Sequence, residues 1–390
     1  MSRVLTFIAV AIAIIAGIHC YIWMRLVRDP RLPAPWSGIA TVALIALAVG
    51  LPASLLLGRR FPDLRRVLAW PLFIWLGLMF LLLCILVSID GARGIASIGR
   101  RLIGAGPIDE QRRTFVSRLL AAGASAVAMA AGALGVRAAL GAVRVRPVRV
   151  RLAKLPRAHD GLRIVQLTDV HVGPTIGRAF IEEIVRQTNA LAPDIVAITG
   201  DLVDGSVSEL GEAVAPIANL RARHGVYFVT GNHEYFSDAP AWMNELARLG
   251  IRVLRNERVT IGEDQDAFDL AGVDDRSAAH HGGLPPEAAV ARALEGRDPA
   301  RELVLLAHQP KSLLEAAAYG VGLQLSGHTH GGQVWPFGYL VRLMQPFLSG
   351  LHRQGQSQIY VSRGTGYWGP PMRLGEPAEI THLTLESGQA

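Results

Sequence analysis

The sequence predicts an α-helical transmembrane region followed by an α/β domain. Long apolar runs are confined to residues 1–143. Charge is divided unevenly, since residues 1–157 carry 21 Lys and Arg against 5 Asp and Glu, whereas residues 158–390 carry 18 against 27. From Leu162 onward, short β-branched runs alternate with amphipathic stretches, which is the pattern of a layered α/β domain. We therefore expect transmembrane helices at 1–143, an Arg-rich juxtamembrane linker at 144–157 and the α/β domain at 158–390.

Three runs in the first region are long enough to cross a bilayer. Residues 4–24, 39–57 and 67–89 contain no Asp, Glu, Lys or Arg. About 20 helical residues, rising 1.5 Å each, cross a hydrocarbon core of about 30 Å. A fourth run, 119–143, is rich in Ala and Gly and contains Arg137, so the sequence leaves open whether three or four helices are retained.

An arginine pair precedes the fourth run. Arg112 and Arg113 are followed by Phe115 and Val116, and this spacing resembles a twin-arginine export signal. The Arg residues of the short loops do not distinguish the two membrane orientations, whereas an export signal must begin in the cytoplasm. This interpretation predicts a multi-pass inner-membrane protein that engages the twin-arginine export machinery, with its α/β domain in the periplasm. The alternative is an ordinary flanking charge pair.

The charge distribution also bears on partners. The Arg-rich stretch 144–157 is suited to lie against anionic lipid headgroups, so membrane lipids are expected partners. A basic chain raises the question of nucleic-acid binding, but here the folded domain is acidic and would repel a phosphate backbone. We therefore expect no nucleic-acid partner.

The α/β domain contains five short apolar runs that predict buried strands, and two amphipathic stretches that predict helices. The strands are expected at 162–168, 194–199, 226–230, 303–307 and 323–326, and the helices at 178–191 and 238–249. Ligands of open α/β sheets collect at the carboxyl ends of strands. The residues that follow each strand are therefore the candidates for function.

Each of the five strands is followed by Asp, Asn or His. The blocks are Asp169-Val170-His171, Gly200-Asp201-Leu202-Val203-Asp204, Gly231-Asn232-His233-Glu234, His308, and Gly327-His328-Thr329-His330. A single Asp is more often a helix cap, and a single His is more often a surface or core residue. Five such strand ends in one chain instead indicate a site for divalent metals, for which these side chains are suitable ligands.

This set of blocks resembles the calcineurin-like metallophosphoesterase superfamily, over about residues 160–385. The resemblance implies a four-layer α/β/β/α sandwich with its site at one edge. Three further stretches resemble a membrane-associated bacterial branch, which includes twin-arginine-exported phosphodiesterases and UDP-2,3-diacylglucosamine pyrophosphatases. They are Gly331-Gly332-Gln333, Ser362-Arg363-Gly364 and Pro371-Met372-Arg373.

The resemblance also implies roles for the matched residues. Asp201 would bridge two divalent ions of Mn, Zn or Fe, with Asp169, His171 and His330 completing one site and Asn232, His308 and His328 the other. A hydroxide bridging the metals would attack phosphorus directly, and His233 would protonate the leaving group or orient the phosphate. Asp204 would hold a histidine ligand in its tautomer. Glu234 would do the same or cap the following turn.

The predicted function is a membrane-anchored two-metal phosphohydrolase. It would cleave a phosphoester or pyrophosphate bond in a phosphorylated small molecule or lipid, and a lipid or envelope-linked substrate is the one expected. A cytoplasm-facing UDP-2,3-diacylglucosamine pyrophosphatase is the alternative within the class. A catalytically inactive metal-binding scaffold or sensor is the alternative outside it, and the intact His233 argues against it. A channel is disfavoured because the apolar runs lack paired acidic residues.

An apolar segment follows the last block. Residues 335–348 contain four aromatic residues, with Pro336 and Pro346 interrupting any regular element. The favoured interpretation is a buried hairpin and short helix that pack on the sheet. The functional alternative is an apolar lip that contacts the bilayer or a lipid chain.

Overall fold

A computed structural model describes residues 2–57, 62–104, 106 and 109–388 of the chain. Two compact units are present. The first comprises Met1–Ala138 together with Gly369–Met372, and the second comprises Ala139–Trp368 together with Arg373–Ala390. The ends of the predicted regions, Met1, Gln389 and Ala390, lie outside the described residues.

The first unit is helical. Its helices are α1 (Ser2–Trp23), which continues as a π-helical turn at Met24–Arg28, α2 (Trp36–Leu57), α3 (Pro62–Leu102) and α4 (Glu110–Ala139). Within the described part of the chain, four helical stretches are long and apolar enough to cross a membrane: Ala9–Arg28, Trp36–Ser54, Val67–Leu102 and Glu110–Ala139. The run that the sequence left undecided therefore belongs to a fourth long helix, which ends four residues earlier than the run does.

Helix α3 is longer than a bilayer requires. Its 41 residues extend over about 60 Å at 1.5 Å per residue, about twice a hydrocarbon core. The uncharged part ends before Asp90, whose carboxylate accepts a 2.6 Å hydrogen bond from the Tyr21 hydroxyl and forms a 2.8 Å ion pair with Arg25. These contacts join α1 to α3 at the end of the apolar part of both helices.

The second unit contains two six-stranded sheets. The first sheet has the strand order β1-β12-β2-β3-β4-β5 and the second β10-β11-β9-β8-β7-β6. The strands are β1 (Arg144–Leu152), β2 (Leu162–Leu167), β3 (Ile195–Thr199), β4 (Val226–Val229), β5 (Arg252–Val253), β6 (Glu257–Ile261), β7 (Phe268–Gly272), β8 (Leu303–Leu306), β9 (Leu323–Ser326), β10 (Gly350–Gln354), β11 (Ser357–Val361) and β12 (Glu379–Ser387). The five strands predicted from the sequence are confirmed to within one residue at each end.

Seven helices accompany the sheets. They are α5 (Arg178–Ala190), α6 (Val207–Val214), α7 (Asn232–Phe236), α8 (Ala239–Arg248), α9 (Pro286–Leu294), α10 (Ser312–Ala316) and α11 (Gly338–Val341). The two helices expected from the sequence correspond to α5 and α8. Asp238, the residue before α8, accepts a hydrogen bond from the Ala241 backbone and so caps that helix.

Alternation of side chains along the strands produces the layers. Ile164 of β2 and Leu306 of β8 face each other's sheet in a common core. Val165, the neighbour of Ile164, points to the opposite face and packs with Trp242 of α8. On the far face of the second sheet, Leu305 packs with residues of α9. Because successive strand residues point to opposite faces, each sheet is buried on both sides, and the domain is the expected α/β/β/α sandwich.

Residues 144–152 form strand β1 where the sequence analysis expected a juxtamembrane linker. From Val148 to Leu152 apolar residues and Arg alternate, so that Val150 and Leu152 enter the core between the sheets while Arg149 and Arg151 are exposed. The strand pairs in parallel with β12 and lies at the edge of the first sheet, where Pro147 is tolerated. The partner strand is the last one in the chain, and the sequence carries no local signal for such a distant pairing.

The apolar segment after the last sequence block is not buried as expected. Only a short helix forms, α11, and the exposed fractions of Trp335, Tyr339 and Leu343 are 64%, 65% and 81%. Val341 is the buried side chain of that helix. The proline residues and the shortness of the helix leave too little regular structure to pack these side chains on the sheet.

Candidate metal centre

The predicted ligands meet at one edge of the sandwich. Strands β2, β3 and β4 run parallel to one another, as do β8 and β9, so their carboxyl ends lie on the same side of each sheet. The residues after these ends form three groups in which the potential ligand atoms lie within 4.8 Å of one another. The groups are Asp169 with His171 and His330, His171 with Asp201 and His233, and Asp201 with His308 and His328.

The first group joins the end of β2 to the end of β9. The Nε2 atoms of His171 and His330 are 3.1 Å apart, and the Nε2 atom of His330 is 3.4 Å from Oδ1 of Asp169. All three side chains are buried. Two imidazole nitrogens and one carboxylate oxygen therefore converge on one point.

The third group, Asp201 with His308 and His328, lies next to Asn232. The Nε2 atom of His308 is 3.1 Å from Oδ2 of Asp201, and the Nδ1 atom of His328 is 2.9 Å from Oδ1 of Asn232 and 3.3 Å from Nε2 of His308. Two imidazole nitrogens, an amide oxygen and a carboxylate oxygen face one another.

Asp201 lies between the first group and the histidines of the third group. Its Oδ2 atom is 3.1 Å from His308 and 3.9 Å from Nε2 of His171, which belongs to the first group. The carboxylate is 2% exposed. A buried carboxylate shared by two clusters of nitrogen ligands is well placed to neutralise two cations at once.

These donor sets fit divalent metals. Neutral imidazole nitrogens that face each other at about 3 Å can form at most one hydrogen bond, whereas both lone pairs can bind a single cation. The nitrogen and oxygen donors are the ligands preferred by Zn, Mn and Fe. The cost of burying the Asp169 and Asp201 carboxylates, both almost inaccessible to solvent, would be offset by such cations.

Asp204 contacts two histidines at once. Its Oδ1 atom is 3.1 Å from Nδ1 of His171 and 2.6 Å from Nδ1 of His233. In His171 this contact occupies Nδ1 and leaves Nε2 directed into the first group, as is usual for a carboxylate that orients a metal-binding imidazole. Burial opposes ionisation, but the two histidines hold the pKa of Asp204 below its ordinary value.

His233 is largely buried beside these ligands, and it belongs to a helix rather than to a strand end. It lies in the first turn of α7, where its backbone N–H donates a 2.8 Å hydrogen bond to Oδ1 of Asp201. Burial lowers the pKa of His233, but the hydrogen bond to Asp204 and the charge of Asp201 outweigh burial and raise it to about 9. A protonated imidazole at this position can donate a proton near neutral pH.

Glu234 stabilises the backbone around the site. Its carboxylate accepts hydrogen bonds from the backbone N–H groups of Gly231 (2.6 Å), Asp201 (3.0 Å) and Leu202 (2.8 Å). Burial and the charge of Asp201 raise the pKa of Glu234 to about 7. Of the two roles left open by the sequence, these contacts correspond to capping the turn, and they also join the turn after β4 to the turn after β3.

The backbone is unusual at the same residues. Asp169, His171, Asp201, His328 and His330 all have φ between 50° and 71°, a region that non-glycine residues seldom adopt. Such strained conformations cluster at functional sites because the surrounding structure holds them. Gly327 has a different constraint, because a Cβ atom there would overlap the side chains of Thr168 and Asp169.

Three side chains near the site were given no role in it from the sequence, although Arg373 belongs to the stretch Pro371-Met372-Arg373 noted above. The exposed aromatic rings of Phe236 and Trp368 lie 5.4 Å and 5.6 Å from the His233 ring, centroid to centroid. The buried guanidinium of Arg373 lies 3.3 Å from Nδ1 of His330, and burial lowers the pKa of Arg373 to about 10. Phe236 follows directly on the block with His233 and could have been noticed, whereas only the fold brings Trp368 there.

The fold and the site together define a class of protein. A two-sheet α/β sandwich with Asp, Asn and His side chains converging at one edge is the arrangement of a metal-dependent phosphoesterase. The comparisons with known proteins agree. Residues 162–332 match the family model of the calcineurin-like phosphoesterases.

Relatives occur in animals and in bacteria. A transmembrane protein with metallophosphoesterase domain from Bos taurus is 45% identical over 255 residues, covering 62% of this chain and 57% of that protein. An uncharacterized metallophosphoesterase from Aquifex aeolicus is 34% identical over 245 residues, covering 62% of this chain and 92% of that protein. Among solved structures, a putative 5'-nucleotidase from Staphylococcus aureus is similar at a TM-score of 0.38 and 12% identity, covering 58% of this chain and 55% of that one.

The chain belongs to the calcineurin-like phosphoesterase family. Residues 162–332 lie in its metallophosphoesterase domain, and its long apolar helices and transmembrane relatives indicate membrane association. The chain spans 57% of the length of the cattle and zebrafish relatives. Because the relatives include animal proteins, the similarity does not single out the bacterial branch expected from the sequence.

Proposed function

We propose that this protein is a membrane-anchored two-metal phosphohydrolase that cleaves a phosphoester or pyrophosphate bond. The observation that carries the proposal is the position of Asp201, whose carboxylate lies between two clusters of imidazole ligands. A shared carboxylate is the feature that distinguishes a two-metal centre from two separate single-metal sites.

In this proposal the two clusters divide the ligands between the ions. Asp169, His171 and His330 would hold one ion and Asn232, His308 and His328 the other, with Asp201 common to both. Bound there, divalent ions would neutralise the phosphate oxygens and lower the pKa of water. The metal could be Mn, Zn or Fe, since all three accept this mixture of nitrogen and oxygen ligands.

His233 would act on the leaving group. Its 2.6 Å contact with Asp204 favours the protonated imidazole, and it lies beside the ligand clusters, so it would donate a proton to a departing oxygen or bind a phosphate oxygen. Asp204 would hold the imidazole in this orientation. An inactive scaffold would have no use for such a proton donor, and this favours an enzyme over a metal-binding sensor.

The substrate class we favour is a lipid or an envelope-linked phosphate compound. Two features of the second unit support this. Trp335, Tyr339 and Leu343 are exposed apolar side chains that closely follow His330 in the chain. A cavity of about 260 Å³ is lined in part by Trp335, Tyr339 and Leu348, and also by Gly331, the residue after His330. Apolar side chains beside a phosphate-cleaving centre are suited to the chain of an amphiphile.

The proposed location is the inner membrane, with the second unit on the periplasmic side. If Arg112-Arg113 is an export signal, α4 begins in the cytoplasm, and a crossing by α4 would put the second unit, which follows it, in the periplasm. In spheroplasts, we expect added protease to digest the second unit of the wild type but not of a variant with Arg112→Lys and Arg113→Lys. Protection of the wild type would refute this location and favour the cytoplasm-facing UDP-2,3-diacylglucosamine pyrophosphatase.

The activity itself is tested with the purified full chain. We expect hydrolysis of bis-p-nitrophenyl phosphate that is abolished by a chelator and restored by Mn. Asp201→Asn should lose this activity because an amide cannot supply negative charge to two cations. Asp264→Asn, the same change at an exposed position away from the ligand clusters, serves as the matched control. Near-normal turnover by Asp201→Asn would overturn the proposal.

A further inference from the structure

A second polar site lies in the helical unit. A cavity of about 400 Å³ opens where the end of α1 approaches α3 and α4. Its acidic lining residue is Asp29, whereas five arginines line it: Arg25, Arg28, Arg31, Arg93 and Arg113. The cavity therefore carries a large excess of positive charge.

Local acidic groups neutralise only part of this charge. Arg25 pairs with Asp29 at 2.6 Å and with Asp90 at 2.8 Å, Arg28 pairs with Asp29 at 2.9 Å, and Arg31 pairs with Glu110. Within the part of the chain that the structure describes, Arg93 and Arg113 have no ion-pair partner. Two unpaired guanidinium groups that line the same cavity repel each other unless an anion lies between them.

The other polar groups of the cavity are also donors. The hydroxyl-bearing residues Thr114 and Ser117 line it beside Arg113, and Ser117 is 7% exposed. Guanidinium forks match the geometry of phosphate oxygens, and hydroxyl groups complete such sites. The chemistry of the lining therefore suits a phosphate group.

An apolar groove adjoins the basic cavity. This groove, about 530 Å³ in volume, lies between α1 and α2 and is lined by Trp23, Val27, Leu32 and Val42. It shares Arg28 and Arg31 with the basic cavity, so the two are continuous. A soluble phosphate compound has no group for such a groove, whereas a phospholipid carries a phosphate and an acyl chain in one molecule.

The position along the helices also suits a lipid headgroup. The apolar stretch Ala9–Arg28 ends at the cavity, and the uncharged run of α3, residues 67–89, ends shortly before Arg93. The Trp23 indole donates a 2.9 Å hydrogen bond to the Thr41 hydroxyl, as expected for an aromatic residue at the membrane interface. The π-helical turn at Met24–Arg28 supplies two of the arginines, and such turns recur at functional sites.

We propose that the helical unit binds one anionic phospholipid, with its phosphate among Arg28, Arg93 and Arg113 and one acyl chain in the groove between α1 and α2. Basic pockets between membrane helices are a general means of recognising anionic headgroups. The site involves none of the proposed metal ligands and does not depend on the hydrolase function. It also gives Arg113 a role in the folded protein, whether or not the export machinery reads the pair.

Native mass spectrometry of the delipidated full chain in detergent tests this. Phosphatidylglycerol should bind saturably at one site, and phosphatidylcholine should bind at least about tenfold more weakly. Arg93→Gln with Arg113→Gln should raise the Kd for phosphatidylglycerol by roughly ten- to thirtyfold, since each arginine near an anionic lipid is worth about a fivefold change in affinity. Arg101→Gln with Arg112→Gln removes the same charge from the same two helices outside the cavity, and should change the Kd by less than about twofold.

Three results would overturn the proposal. One is an unchanged Kd in the Arg93 and Arg113 variant, and another is equal binding of phosphatidylcholine. The third is displacement of phosphatidylglycerol by inorganic phosphate at comparable concentration, which would identify a site for soluble anions. If the double variant does not purify as a folded protein, Arg93→Gln compared with Arg101→Gln carries the same test.

Discussion

Gly327 offers a sharp test of how the sheet edge builds the site. Its replacement by Ala would place a methyl group against the Thr168 hydroxyl and the Asp169 carboxylate. Both side chains are completely buried, so neither can turn away into solvent. The end of β9 must withdraw instead, and it carries His328 with it. His328 is held to Asp169 by its backbone N–H, at 2.8 Å and 3.0 Å from the two carboxylate oxygens.

The size of the effect follows from these contacts. Overpacking a buried position costs about 1–3 kcal/mol. If this strain destabilises the metal-bound protein and not the metal-free protein, metal affinity decreases by roughly ten- to a hundredfold, since 1.4 kcal/mol corresponds to a factor of ten. Gly327→Ala should therefore purify with much less metal than the wild type, and its hydrolysis of bis-p-nitrophenyl phosphate should recover in part at high Mn concentration.

Gly211→Ala is the matched control. Gly211 lies inside α6, and an added Cβ would make an ordinary 3.6 Å contact with Val207. Ala is favoured over Gly in a helix by about 0.5–1 kcal/mol, so this variant should keep its metal and melt at an equal or higher temperature. If Gly327→Ala retained metal and turnover within about twofold of Gly211→Ala, the tight approach of β9 to Asp169 would not matter to the site.

Two further variants separate proton transfer from substrate binding. His233→Asn should keep its metal content but lose about 10²–10⁴-fold in turnover, with a smaller loss for p-nitrophenolate than for an alkoxide leaving group; equal losses would instead assign His233 to phosphate orientation. Trp368→Ala removes an exposed ring beside His233, so we expect KM for an aryl phosphodiester to rise about fivefold, as a lost aromatic contact predicts, with kcat nearly unchanged. Tyr319→Ala, at another exposed aromatic residue of the same unit, should leave that KM unchanged, and a similar rise there would show a general loss of apolar surface.

Much of the fold was predictable because its signals are local. A buried parallel strand such as β3 is a short apolar run, and the ligands come directly after such runs, so strand ends and candidate ligands could be named together. Strand β1 was missed because its arginines are typical of a membrane flank, and its pairing partner β12 lies at the other end of the chain. Only the alternation of apolar residues and Arg at 148–152 could have indicated a strand.

The immediate surroundings of the site were harder to predict. Trp368 lies beside His233, and Arg373 beside His330, because of tertiary packing. Periodicity and local motifs do not reveal such contacts. The exposed segment after His330 was misjudged because apolar composition usually means burial, and the rule fails where prolines prevent regular packing. The role of Glu234 needed coordinates, because a capping side chain and one that orients a histidine look the same in sequence.

The central claim is that two metal ions share the Asp201 carboxylate. Elemental analysis of the purified full chain tests it most directly, performed on the wild type, Asp201→Asn and the Asp264→Asn control. We predict two equivalents of divalent transition metal per chain in the wild type and in the control, and less than one in Asp201→Asn, because neither cluster keeps enough negative charge. An active wild type with a single equivalent, or an Asp201→Asn protein that retains two, would contradict the account.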